Sequence, residues 1–213
     1  MKFLFLGDSI TDAYHCFDPE NLGEGYVRMI HDKLHRLPVP GSSDPVPEFI
    51  ISNKGIDGFT VSRVYEMWKS IPDKSSWDTV SVLAGINDVG VWVDCGRSDA
   101  LIKDAVSEFS RTYEDLVTDI LDCGIKKLLL MEPFLFPYPE KYRLWQPWLA
   151  EISLCIQKIA AKYGILFLKL QDRLSDAAVK YGYPAITSDG IHLTQQGNQI
   201  LADAWYRQFR KSF

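Results

Sequence analysis

Apolar residues in this chain fall into five short continuous runs, separated by stretches in which they recur every three or four positions. The first run, Lys2 to Leu6 (KFLFL), predicts a strand buried on both faces, and it stops at Gly7-Asp8-Ser9, where Thr11 and Asp12 supply turn and capping chemistry. Further strands are predicted over Glu48–Ser52, Asp78–Ala84, Lys126–Met131 and Ile165–Leu170. Helical periodicity runs through Gly25–Leu37 (Val27, Ile30, Leu34) and from Thr60 (Val61, Val64, Tyr65, Trp68) to the stop at Pro72. Longer helices are predicted from a Ser98 cap to Gly124, from Pro147 to Gly164, and from a Thr194 cap to about Arg210, with a shorter one over Gln171–Tyr181. The remainder reads as connections. These are polar His15–Leu22, the Pro/Gly-punctuated Pro38–Pro47, Val89–Arg97 carrying Trp92, the loop Ser188–Leu193, and the aromatic, proline-rich Glu132–Gln146, whose length suits a lid or a binding wall. Strands alternating with helices predict a three-layer α/β/α architecture with a doubly wound, five-stranded parallel sheet, in one domain over residues 1–213.

Composition narrows the function classes. The 213 residues carry a net charge of -5 with no Lys/Arg-rich run, so a nucleic-acid surface has no electrostatic basis. No apolar run approaches the roughly 20 residues that span a bilayer, which predicts no membrane partner. The apolar start is too short for a signal peptide and is followed by a charged turn, so a cytoplasmic location is expected. Cys16, Cys95, Cys123 and Cys155 contain no Cys-x-x-Cys pair, and Cys123 and Cys155 fall inside helical patterns, so buried reduced thiols are expected. His31 and His35 have the i, i+4 spacing of a chelating pair but no third ligand nearby, so neither a metal nor any other cofactor is expected. His15, a few residues past Ser9, reads as a surface-loop histidine.

Chemistry-bearing residues gather at strand ends. Ser9, Gly58 in Asn53-Lys54-Gly55-Ile56-Asp57-Gly58, and Asn87 each follow a predicted strand, and Asp189 and His192 share the last loop. In a parallel sheet such loops meet on one rim. Together they would support nucleophilic acyl transfer. A serine needs an imidazole to take its proton, and the imidazole needs a carboxylate to fix its tautomer. That casts Ser9 as nucleophile, His192 as base and Asp189 as orienting acid, with the N–H groups of Ser9 and Gly58 and the Asn87 amide as oxyanion donors. Asp8 is expected to fix the turn around Ser9, since an acid adjacent to the nucleophile is badly placed to reach the far nitrogen of the base. The two glycines three apart before Phe59 predict a sharp turn or a close approach.

In these four blocks, Gly7-Asp8-Ser9, Asn53 through Gly58, Gly85-Ile86-Asn87-Asp88 and Asp189-x-x-His192, the chain resembles the GDSL/SGNH hydrolase superfamily. The blocks occur in order and span nearly the whole chain. The resemblance implies a flavodoxin-like sheet, the roles just assigned, and no cofactor. The phrases LFLGDSITD, GEGYV, NKGIDGFTV, GINDVGVW and MEPF further resemble intracellular acetylxylan esterases of that superfamily, which implies a small ester substrate such as an acetylated xylo-oligosaccharide and allows a homo-oligomer. Tyr138, Tyr142, Trp145 and Trp148 could stack on sugars but fit core or subunit contacts better, whereas Trp92, with Asp8 and Ile191, is the candidate substrate pocket. The net acidity disfavours anionic acyl-CoA or lysophospholipid substrates. Two alternatives are a lysophospholipase- or thioesterase-type acylhydrolase with a groove walled by Phe134, Leu135 and Phe136, and a flavodoxin-like binding module without chemistry.

Overall fold

The computed structural model of the chain describes residues 1–35 and 49–211. Five strands, β1 (Lys2–Gly7), β2 (Ile50–Gly55), β3 (Thr79–Leu83), β4 (Lys127–Met131) and β5 (Leu166–Leu168), form one all-parallel sheet in the order β2-β1-β3-β4-β5. Each central strand is buried on both faces, as its unbroken apolar run requires: Phe3, Leu4, Phe5 and Leu6 of β1 are fully covered. Strand β2 runs farther at its carboxyl end than its apolar core, through Ser52, Asn53 and Lys54, because backbone pairing with β1 carries it on to the Gly7–Gly55 register. The predicted start of this strand at Glu48 and the Pro38–Pro47 loop lie outside the described residues.

Nine α-helices among the described residues connect the strands: α1 (Ser9–Asp12), α2 (Tyr26–His35), α3 (Val61–Ser70), α4 (Ile86–Asp94), α5 (Asp99–Asp122), α6 (Gln146–Tyr163), α7 (Gln171–Tyr181), α8 (Tyr183–Ile186) and α9 (Gln195–Lys211). Helix boundaries follow the local signals. The Ser98 hydroxyl accepts from Leu101 N–H at the start of α5, and Gly164 ends α6 in the left-handed conformation. On one face of β1, Phe3 and Phe5 meet Trp205 of α9 edge-on or tilted, and Phe5 also meets Tyr26 of α2. The Trp205 indole N–H donates to Ser81 Oγ of β3 at 2.9 Å, so this apolar layer leaves its polar handle satisfied. In the other helical layer, α5 packs against both α3 and α6.

Two expectations are corrected. Val89–Arg97 is largely not a loop, because α4 continues to Asp94. In its stretch Val89-Gly90-Val91-Trp92-Val93 the helix buries Val89, Gly90 and Trp92, and Gly90 admits the Trp145 ring so closely that a Cβ there would stand 2.7 Å from it. His15 is not on the surface. It begins a short 3-10 turn, is 8% exposed, and turns its ring back onto Asp12.

Strand order 2-1-3-4-5 sets the functional geography. The connection from β1 crosses to one side and that from β3 to the other, which opens a crevice at the carboxyl ends of β1 and β3.

Candidate active site

Gly7, Gly55 and Leu83 lie side by side at the ends of three adjacent strands. Ser9 stands two residues beyond the first, Gly58 three beyond the second, and Asn87 four beyond the third. Parallel pairing therefore delivers all three to one rim. Ser9 opens α1, and its backbone N–H is among those that an α-helix leaves without an internal partner. Asp8 caps this one-turn helix through a hydrogen bond from Ile10 N–H to its Oδ1 at 3.0 Å. Gly58 has φ of +74°, the left-handed region in which glycine is unstrained. The close approach is supplied by Gly55, where a Cβ would lie 2.2 Å from the backbone nitrogen of Asp12. The Asn87 side chain donates one N–H to Phe59 O at 3.1 Å, so α4 and the Gly58 turn are tied together and a second amide N–H remains on the same nitrogen.

From the far end of the chain, the loop before α9 brings in His192. His192 Nε2 lies 2.9 Å from Ser9 Oγ, and His192 Nδ1 lies 2.6 Å from Asp189 Oδ2. A carboxylate only accepts, so the ring carries its proton on Nδ1 and offers the Nε2 lone pair to the serine hydroxyl. Asp189 is itself fixed, since its Oδ1 accepts from the N–H groups of Ile191 at 2.9 Å and His192 at 2.8 Å. Burial pushes the Asp189 carboxyl up, but the His192 side chain and these two N–H donors outweigh it and hold the carboxyl below its ordinary value. The loop is clamped from both sides. Phe136 N–H donates to Gly190 O at 2.9 Å, and the Asn198 side chain of α9 donates to Leu193 O at 3.1 Å while accepting from Tyr26 N–H at 3.0 Å. The long Glu132–Gln146 segment is thus a wall that supports the His192 loop.

A cavity of about 1000 Å³ opens beside Ser9 and His192, lined also by Asp12, Tyr14, Phe17 and Asp57. The candidate pocket residues Asp8, Trp92 and Ile191 do not line it. Asp8 is 1% exposed beneath α1, and Trp92 is 6% exposed with its ring edge-on to Phe109 in the core. Ile191 packs partly against the core. The rings of His31 and His35 meet at 4.1 Å, tilted by 34°, with His35 Nδ1 on His31 O and His31 Nδ1 on Asp32.

Sequence reading missed two features of the rim. Asp88 is 6% exposed and caps α3 across the site by accepting from Val61 N–H at 3.0 Å, while Thr60, the local capping residue, makes no such bond. Burial pushes the carboxyls of both Asp8 and Asp88 up to about 7, against the opposing pull of their Ile10 and Val61 N–H donors. The second feature is Asp12, which accepts from Asp57 N–H at 3.0 Å and so joins α1 to the turn carrying Gly58. Nothing in residue type or spacing announces either bond.

Residues 5–200 match the family model described as the GDSL-like lipase/acylhydrolase family. The chain is 30% identical over 97% of its length to the acetylxylan esterase of Geobacillus stearothermophilus, covering 93% of that protein. The crystal structure of that acetylxylan esterase superposes with a TM-score of 0.78 at 27% identity, covering 97% of this chain and 93% of that one. A mutant of it, termed an acetyl-xylooligosaccharide esterase, gives 0.75 at 27% identity over 97% and 92% of the two chains. A hydrolase from the metagenome of Lake Arreo, Spain, shares the fold with a TM-score of 0.80 at 23% identity, over 97% and 93% of the two chains.

Proposed function

The chain belongs to the GDSL-like lipase/acylhydrolase family and is a carboxylic ester hydrolase, and from that premise we propose that it removes acetyl groups from carbohydrates, short xylo-oligosaccharides among them, through an acetyl-serine intermediate. The observation that carries the reading is the continuous relay from Ser9 Oγ through His192 to Asp189, with heavy-atom separations of 2.9 and 2.6 Å.

In the proposed cycle, Ser9 Oγ attacks the ester carbonyl carbon as His192 Nε2 takes its proton. Negative charge develops on the carbonyl oxygen, where the N–H groups of Ser9 and Gly58 and the remaining Asn87 amide N–H stabilise it. Asp189 offsets the positive charge of the imidazolium and keeps the ring in the required tautomer. Collapse of the tetrahedral species expels the sugar alcohol, which receives the proton held by His192. A water molecule then gives its proton to His192 and attacks the acetyl-serine, and acetate leaves as Ser9 is reprotonated.

Three observations support a neutral, short-acyl substrate. Phe134, Leu135 and Phe136 are at most 1% exposed, so they are spent on the core and wall no acyl groove. Among the described residues, the cavity is lined by Asp12, Glu24, Asp32, Asp57 and Asp189 against a single Lys or Arg, Arg28, which is held by Asp18 and Glu20. That field repels phosphates and carboxylates and leaves neutral polyols unpenalised. Tyr14 and Phe17, 71% and 87% exposed, set two rings at the same mouth, where sugar faces can stack. The test is hydrolysis of p-nitrophenyl acetate, butyrate and octanoate by the wild type and Ser9→Ala. Rates should fall steeply with chain length and vanish in the variant, after which acetylated xylo-oligosaccharides are the substrates to compare. Octanoate preferred over acetate would overturn the short-acyl assignment, and activity retained in Ser9→Ala would overturn the nucleophile.

A further inference from the structure

The turn that carries Gly58 belongs to a kind with two alternative forms, and a carboxylate outside the turn bears on which one it takes. Phe59 N–H donates to Ile56 O at 3.2 Å, closing a four-residue turn with Asp57 and Gly58 at its centre. Of these two central residues only Gly58 has a positive φ, +74°, so the turn is of type II. Types I and II differ by a half-rotation of the central peptide plane, here the Asp57–Gly58 peptide. The direction of Gly58 N–H is therefore set by the turn type, and the turn's own bond, made by Phe59 N–H, leaves Gly58 N–H out. Both ends of the turn are tied down, since Ile56 N–H donates to Gly7 O at 3.2 Å and Asn87 donates to Phe59 O at 3.1 Å. The middle is held by Asp12, whose Oδ2 accepts from Asp57 N–H at 3.0 Å. That carboxylate is itself aimed. Its Oδ1 accepts from His15 N–H at 3.2 Å and meets His15 Nδ1 at 2.7 Å, which leaves Oδ2 to the turn. The Asn53 amide donates to Thr11 O at 2.6 Å and so fastens the end of α1 that bears Asp12. With the side chains of Asp12 and His15 only 19% and 10% exposed, water competes little for these bonds.

We propose that Asp12 is a positioning residue for the oxyanion site, holding the Ile56–Phe59 turn in the type II form that aims Gly58 N–H at the developing oxyanion. In the type I form the same N–H points to the opposite side of the turn, and the oxyanion keeps only the Ser9 and Asn87 donors. Asp12 moves no proton and touches no reacting atom; it acts through the Asp57–Gly58 peptide. The proposal rests on the reading of Ser9 as nucleophile with Gly58 among its oxyanion donors.

Proline serves as a substitute clamp in the test. It is favoured at the first central position of a type II turn, ahead of glycine, and has no N–H for a carboxylate to hold. Asp12→Ala should lower kcat on p-nitrophenyl acetate by about 10- to 100-fold with little change in KM, somewhat less than outright loss of a donor. Its Ki for trifluoroacetone, whose adduct with Ser9 places an oxyanion in the same site, should rise in parallel, and an unfolded fraction would not move that constant. Amide hydrogen exchange at Asp57, followed by NMR, should accelerate in the same variant. Adding Asp57→Pro to Asp12→Ala should return kcat to within about threefold of wild type, because proline presets the turn. Asp12→Asn keeps the shape but accepts more weakly than a carboxylate, so it should lose about threefold to tenfold in kcat, again restored by Asp57→Pro. Wild-type kcat in folded Asp12→Ala, or in Asp12→Asn where the alanine variant does not fold, would overturn the proposal. A loss that Asp57→Pro fails to restore would overturn it too, since Asp12 would then act elsewhere. Hydrolysis surviving in Ser9→Ala would overturn the reading underneath; with Ser9 essential, the Asp12 outcomes bear on the positioning alone.

Discussion

At the scale of single residues, the site turns on which hydrogen bonds each functional atom has already committed. Asp189 has one oxygen on two backbone N–H groups and the other on His192, so an amide in its place could keep the shape while presenting either an N–H or a weaker acceptor to the ring. Asp189→Asn should therefore lower kcat by about 10³–10⁴-fold with a small change in KM, read from steady-state hydrolysis of p-nitrophenyl acetate. A loss of less than tenfold would mean that Asp189 does not orient the base. Asn87 has one amide N–H on Phe59 O and the other available for transition-state charge. Asn87→Ala should cost about 10²–10³ in kcat, again mostly sparing KM, and a variant with near-wild-type kcat would remove Asn87 from the oxyanion site. Both expectations come from the side chains' chemistry, legible in the sequence. What sequence left open was the supporting bond in each case, because a partner such as Phe59 O is chosen by the fold and not by residue type.

Among the elements, α9 holds the site together. One of its residues, Asn198, accepts from Tyr26 N–H of α2 and donates to Leu193 O in the His192 loop. Removing it leaves a buried N–H unsatisfied and frees the loop that sets the imidazole. Asn198→Ala should lower unfolding stability by about 1–3 kcal/mol, measured by urea denaturation, and should also reduce kcat. A destabilised enzyme with unchanged turnover would show that the loop does not depend on this anchor. Helix α3 illustrates what local reading cannot reach. Its periodicity and its end before Pro72 were plain, but its cap comes from Asp88, 27 residues later, rather than from Thr60. In the same way, Trp92 stands only five residues after Asn87 in sequence, yet the helical continuation of α4 turns its ring onto Phe109 and away from the cavity.

For the molecule as a whole, two buried acids beneath the rim set the pH dependence of stability. Asp8 and Asp88 have carboxyls pushed up to about 7 from an ordinary 3.8 by burial, so the folded state holds their protons more tightly than the unfolded chain. The stability they contribute is fully present below the ordinary carboxyl value and is lost as pH rises through the folded value. Asp189, held below the ordinary value, has the opposite sign: its contribution is present above that value and is lost as pH falls through the folded one. Between about pH 4 and pH 7 the raised pair dominates, and the melting temperature should decline across that window. Asp88→Asn, which keeps an oxygen for Val61 N–H, should flatten the decline. A melting temperature that climbs steadily from pH 4.5 to 7 would contradict the burial argument. The acidic cavity mouth belongs to this scale too, because its field is summed over α1, α2 and both flanking turns.

The sequence by itself determined what is carried by near neighbours and by chemical type. Continuous apolar runs and 3.6-residue periodicity specify strands and helices, Ser98 and Gly164 mark their ends, and alternation of the two specifies a parallel layered sheet. A serine and an asparagine after strands, with an Asp-x-x-His in the last loop, are legible as an acyl-transfer set, because few other chemistries use those groups together. The tertiary structure decided everything that depends on which distant segment fills a given space. It buried Asp8, Asp88 and His15, turned Trp92 inward, spent Phe134 and Phe136 on the core, and set the Asp12 carboxylate against the turn that carries Gly58. Burial and hydrogen-bond pairing are properties of neighbours brought together across the whole chain, so no window of sequence contains them.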